Sequence, residues 1–223
     1  MAVLLGILTI AALIGIDVFF LRARRARRAE AVAPPRLPPL SESITRLPQG
    51  VFLHPTFTWS RVREDGDVML GIHPLLFGLV GAPYQIDVLS EGQEVERGGE
   101  LVKLGRGGRR LTVRSPVSGR ISAVNTVLAG EAEWDGVDTD DGRWVYRITP
   151  QRLGDEVPSW LVAERASEWS RRQYERLKEY LFGVLHAGEL GLTMTDGGDM
   201  PNGVLGSLAG SAWDGIQQEF LDP

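Results

Sequence analysis

Chemistry that depends on an amine, a thiol or a metal has few places to occur in this 223-residue sequence. Of its 24 basic residues only Lys103 and Lys178 are lysines. Acyl attachment and Schiff-base formation both need an amine, and an arginine guanidinium, which stays protonated, cannot replace it. Cysteine is absent, which removes disulfides, thiolate ligands and thiol nucleophiles together. His54, His73 and His186 are scattered, and none forms a helical ligand pair of the HExxH kind. Asp138, Asp140 and Asp141 lie in a DGVDTDDG run without the spacing or closing glutamate of a calcium loop, so it reads as a solvated turn. The run Gly105-Arg106-Gly107-Gly108-Arg109-Arg110 lacks the lysine and following helix of a phosphate loop. Ser118 has no Gly-x-Ser-x-Gly elbow around it. No metal site and no catalytic set is therefore expected. The residues left are suited to contact: Arg106, Arg109 and Arg110 in the glycine-rich run, Trp160, Trp169 and Tyr174 further on, and Asp17 near the N-terminus.

The elements that must hold these residues fall into four stretches. Residues 1–30 begin with an apolar run from Ala2 to Leu21. About twenty residues in a helix span roughly 30 Å, the depth of a bilayer's hydrocarbon core. Asp17 is the single ionisable residue inside that run, placed to snorkel toward headgroups or to meet a neighbouring transmembrane helix. Arg22, Arg24, Arg25, Arg27 and Arg28 follow at once. No basic residue precedes the apolar run, which is the reverse of a secretory signal peptide. The positive-inside bias puts the arginines and the rest of the chain in the cytoplasm, with a short N-terminus outside, in the inner membrane. The basic cluster is expected to fix topology and meet anionic lipid, with no nucleic-acid partner. Residues 31–50 include APPRLPPL, a proline-rich linker that favours an extended spacer.

Residues 51–157 break into short β-type runs separated by glycine. Strands are expected at 58–63, 68–72, 84–88, 100–104, 111–114, 119–124 and 144–148, with a short helix near 73–80. Seven short strands suggest a sandwich or flattened barrel, with the 105–110 run as a protruding hairpin. Residues 158–223 form a helical extension. The stretch 159–185 is expected to form one long helix or two joined ones, being free of glycine until Gly183 and carrying Trp160, Leu161, Trp169, Tyr174, Leu177, Tyr180 and Leu181 at helical spacing. That face packs either on the barrel or on another protein. A second short helix is expected over 211–221.

Several motifs resemble the H protein of the glycine cleavage system. The order is His54 and Trp59, Gly66-Asp67, Gly71-Ile72 before the short helix, Glu91-Gly92, Gly99-Glu100, then Ser115-Pro116-Val117-Ser118-Gly119 and Val124-Asn125. The resemblance covers roughly a hundred residues and implies a mainly β fold with some helix, a lipoyl-like flattened β-barrel. It also implies a carrier lysine at a hairpin tip, eight positions before the proline of the Ser-Pro-Val-Ser-Gly segment. Counting back from Pro116 gives Gly108, which has no amine.

The expectation is therefore a non-enzymatic, membrane-anchored accessory subunit without a cofactor. Its degenerate H-protein-like domain supplies surface to other membrane subunits, in an assembly such as a respiratory or photosynthetic complex. The alternative is a membrane-tethered carrier of the glycine-cleavage type working through Lys103. A membrane-fusion adaptor ranks last, since no long coiled-coil hairpin interrupts the barrel and the charge bias puts the domain on the wrong side.

Overall fold

The structure is a computed structural model that describes residues 40–43, 50–82, 84–125, 131–132, 144–187 and 199–222. The chain divides into two compact units, Met1–Arg36 and Leu37–Pro223, and the described residues belong to the second. The expected anchor, its Asp17, the arginine block, most of the proline-rich linker and the acidic run at 138–141 lie outside the described residues. Among the described residues no helix is long and apolar enough to cross a membrane.

The described domain is mainly β with some helices. A short helix α1 (Leu40–Ser43) leads to strands β1 (Phe52–His54), β2 (Thr58–Val62) and β3 (Val68–Ile72), then helix α2 (Pro74–Val80). There follow β4 (Tyr84–Val88), β5 (Glu94–Val95), β6 (Glu100–Arg106), β7 (Arg109–Arg114), β8 (Gly119–Val124), β9 (Glu131–Ala132) and β10 (Trp144–Pro150). These strands form a six-stranded sheet in the order β1-β2-β3-β10-β8-β5 and a four-stranded sheet in the order β7-β6-β4-β9. The pairings are antiparallel, so one face of each strand can turn inward while the other stays wet. β4 shows this directly, with Tyr84 and Ile86 buried and Gln85 and Asp87 exposed. Tyr146 links the two sheets: its hydroxyl donates to the Leu101 carbonyl at 2.9 Å and accepts from the Leu89 N–H at 2.7 Å. Burial pushes that phenol up to about 12, so it stays a donor.

Helix α2 is buried on all sides, as expected of a short apolar helix inserted in a core. His73 caps it, its Nδ1 accepting the Leu75 N–H at 3.1 Å, and Pro74 occupies the first turn, where no N–H is needed. The expected seven strands are present, and the structure adds β1, β5 and β9, which are two or three residues long. The glycine-rich run is not a long loop. β6 and β7 continue through it, pairing Arg106 with Arg109 around a two-residue turn.

The C-terminal extension departs from the expected helix start. Helix α3 (Leu153–Glu156) and a 3₁₀ turn (Val157–Ser159) come first, then extended chain at Trp160, and the long helix α4 spans Ala163–Ala187. Leu161 pairs with β1 instead of entering the helix: the Leu53 N–H reaches the Leu161 carbonyl at 2.8 Å, and the reverse bond is also 2.8 Å. The tail consists of a 3₁₀ turn (Val204–Ser207), helix α5 (Gly210–Ile216) and a π turn (Gln217–Leu221) in place of one regular helix over 211–221.

Candidate functional site

The β6–β7 hairpin is the part of the fold where the sequence concentrates its contact residues. Its tip is Gly107 and Gly108, at φ values of 60° and 81°, the paired positive φ of a tight hairpin turn. Both are exposed, and a Cβ at either would meet open space. The tip therefore offers backbone and no reactive side chain.

The arginines around the tip are engaged by their own chain. Arg106 turns back toward α2, its Nη1 lying 3.4 Å from the Val80 carbonyl. Its guanidinium rests on Gly81, Gly203 and Gly206, where an added Cβ would come within 3.0, 2.9 and 3.0 Å of it respectively. Arg109 donates from Nη1 to the Leu208 carbonyl. Arg110 reaches Asp87 with Nε to Oδ2 at 3.1 Å. Its stem crosses Gly105, where a Cβ would come within 2.7 Å of the Arg110 Cγ. Each arginine thus has a contact within its own chain, while Arg109 and Arg110 remain exposed. Because Arg110 and Asp87 are both about half exposed, their ion pair contributes about 1 kcal/mol at most.

Lys103 sits in mid-strand. In register it lies between Asp87 of β4 and Thr112 of β7, and its Nζ is 2.8 Å from Glu100 Oε1. Its ammonium is therefore on the outer face of the four-stranded sheet, paired and removed from the hairpin tip.

The Ser-Pro-Val-Ser-Gly segment is a structural joint. Ser115 Oγ donates to the Val117 carbonyl at 2.7 Å, and the Ser118 N–H donates to Glu156 Oε1 at 2.9 Å. Ser118 Oγ accepts from the Arg97 N–H at 3.0 Å and from Arg152 Nη2 at 3.3 Å. Both groups that meet the Ser118 hydroxyl are donors, and the Glu156 carboxylate is bonded to the backbone N–H, so Ser118 is placed as a turn residue.

His54 and His73 are interior groups. His54 Nε2 lies 2.9 Å from Ser60 Oγ, and His73 Nε2 lies 3.1 Å from Ser170 Oγ. Burial drives each down to about 3, with the nearby Arg97 charge adding to the effect at His54. Both rings are therefore neutral at physiological pH. Among the described residues no group of histidine and acidic side chains has the arrangement of a metal site.

Trp160, Trp169 and Tyr174, read from the sequence as contact candidates, are 4%, 7% and 4% exposed. Trp160 meets His54 edge-on at 4.9 Å between centroids, and Trp169 meets Phe57 at 5.0 Å. These rings fill the domain's own core, because the extension packs back onto the strands. Tyr174 belongs to a polar clasp: its hydroxyl donates to Asp199, which also accepts from the backbone and side chain of Ser41 and, at 2.8 Å, from the Met200 N–H. Burial alone would raise the Asp199 carboxyl, but the donors from Ser41 and Tyr174 outweigh it and hold the group below the usual range. Burial, with the Asp199 bond, pushes the Tyr174 phenol well up.

Sequence reasoning missed the partners of β7. The Thr112 N–H donates to Gln217 Oε1 at 2.8 Å, and Gln217 Nε2 donates to the Thr112 carbonyl at 3.2 Å. Arg114 Nε meets Asp222 Oδ1 at 2.6 Å. No periodicity joins residues a hundred positions apart, so nothing in the sequence pattern pointed to them.

Comparison with known proteins matches residues 52–172 to the sequence profile of the family described as Glycine cleavage H-protein. The chain is similar to the probable glycine cleavage system H protein of Pyrococcus horikoshii, with 27% identity over 124 residues, covering 56% of this chain and 92% of that protein. It is also similar to the glycine cleavage system H protein of Saccharophagus degradans, with 31% identity over 106 residues, covering 48% and 81%. Among solved structures, it aligns with a crystal structure of a glycine cleavage system H protein from Mycobacterium marinum at a TM-score of 0.48 and 20% identity, over 55% of this chain and 98% of that one.

Proposed function

Since this chain belongs to the glycine cleavage H-protein family, we propose that its domain is a carrier fold kept for its surface: a non-catalytic accessory subunit, anchored in a membrane, that helps assemble or stabilise a larger membrane complex. The observation that carries this reading is the hairpin tip. In the family a lipoyl group is held in amide linkage to a lysine there, and here the tip is Gly107 and Gly108. The residues do not fit that group, since neither glycine supplies an amine and the flanking guanidiniums are not acylation nucleophiles. Lys103 is a poor substitute because it lies on the flat of a strand against Glu100.

Two features of the sequence support the anchor and the partners. The apolar run from Ala2 to Leu21 has the length of a bilayer span, and the arginines that follow it favour a cytoplasmic domain. A small single-span subunit suits respiratory or photosynthetic assemblies, which gather such chains around a larger core.

Gentle solubilisation of native membranes, followed by purification through a tag on the full chain, tests this. The expected result is co-purification with membrane subunits in fixed ratio. Recovery with the glycine-cleavage enzymes, or from the soluble fraction without a membrane partner, would refute the scaffold role.

A further inference from the structure

The edges of a sheet are where a mainly β protein is open to pairing with other chains, because their outward N–H and carbonyl groups lack a neighbour. In the six-stranded sheet the β1 edge is met by Leu161 through two backbone hydrogen bonds. In the four-stranded sheet β7 is an edge strand, and it is also the second strand of the glycine-tipped hairpin.

What lies along β7 is the end of the chain. A glutamine amide presents one acceptor and two donors in a plane, and so can answer both halves of a peptide group as an adjacent strand would. Gln217 does this at Thr112, taking the N–H at 2.8 Å and giving to the carbonyl at 3.2 Å. Toward the tip, Arg109 donates to the Leu208 carbonyl, and at the other end Arg114 meets Asp222 at 2.6 Å. Contacts at residues 109, 112 and 114 thus run the length of the strand.

The far side of this segment is held by packing. Trp213, Ile216, Phe220 and Leu221 are buried, and Trp213 Nε1 donates to the Leu205 carbonyl at 3.0 Å. α5 also approaches α4 closely at Gly215, where a Cβ would lie 1.8 Å from the Tyr180 hydroxyl. None of these residues falls within the 52–172 stretch shared with the family.

We propose that residues 204–222 form a resident edge cap, in which Gln217 stands in for a neighbouring strand and closes β7 against strand addition by other proteins. Strand addition is a common way for extended segments to engage a sheet edge. The cap occupies this cationic edge with a carbonyl and a carboxylate of its own, which an extended acidic segment would otherwise supply. It leaves the glycine tip open and immobilises the flank of the hairpin, so subunit contacts pass through the remaining surface.

Residue-resolved hydrogen exchange on the full chain in detergent tests the cap. The Thr112 amide is expected to be protected in the wild type. Gln217→Ala should speed its exchange roughly three- to tenfold, the factor set by one hydrogen bond, while the β7 amides that face β6 stay unchanged. Gln217→Glu keeps an acceptor oxygen for the Thr112 N–H but sets its second oxygen against the Thr112 carbonyl, so it should restore the protection only in part. A Thr112 amide that exchanges freely in the wild type, or is unaffected by Gln217→Ala, would overturn the proposal. Equal acceleration of every β7 amide in both variants would also overturn it, since Gln217 would then support the fold as a whole.

Discussion

His54 and His73 show how single buried side chains set the response of this domain to acid. Each is held near 3 in the folded chain, against about 6.5 when unfolded. Above pH 6.5 neither state takes up a proton there, and their contribution to stability is fully present. As the pH falls below 6.5 the unfolded chain binds protons that the folded chain refuses, and stability is lost progressively down to about 3. The linkage amounts to about 2 kcal/mol per histidine between pH 7 and pH 5. Denaturant titrations at these two pH values should show a loss of about 4 kcal/mol for the two rings together, and His73→Gln should remove about half of that pH dependence. An unchanged midpoint would mean that the rings are accessible to protons in the folded state. The glycines at the tip, the paucity of lysine and the family's motif order were all legible at this scale, because residue type alone carries them. The engagement of Arg106, Arg109 and Arg110 was not legible, since it depends on carbonyls and glycines around 80 and 203–208 for the first two and on the Asp87 carboxylate for the third.

At the scale of elements, strands with clear alternation or a β-branched run were read within a residue or two, as at 68–72, 84–88 and 119–124. β1, β5 and β9 were missed because two or three residues carry no usable period. The long helix begins at Ala163, later than the helical spacing from 159 suggests, because the Leu161 backbone is bonded to Leu53 of β1. The sheet also depends on a small residue in an inner strand. Gly71 pairs with Trp59 on one side and Trp144 on the other, and a Cβ there would lie 2.2 Å from the Trp59 indole. Trp59 is 5% exposed and cannot swing away. Gly71→Ala should therefore destabilise the domain by about 1–3 kcal/mol, the usual cost of overpacking, read as a lower denaturation midpoint. A gain in midpoint would show that the ring has room to shift. By contrast, Gly78 takes up a different neighbour, Leu40, whose side chain would lie 1.9 Å from an added Cβ.

For the whole molecule, the family and the mainly β architecture followed from motif order and strand pattern, whereas the packing of the C-terminal extension stayed open between the barrel and another protein. Amphipathic helices leave open whether their apolar face meets the same chain or another. Here Trp160, Trp169 and Tyr174 are buried within their own domain. We propose that this carrier-type fold, with Gly107 and Gly108 at its hairpin tip, carries no acyl group. Its most direct test is the intact mass of the full chain after co-expression with a lipoate ligase and a supply of lipoate, with an authentic H protein expressed in parallel as the modified control. The expected result is an unmodified chain beside a fully lipoylated control. A lipoyl adduct mapped to Lys103 or Lys178 would contradict the claim and return the protein to the carriers.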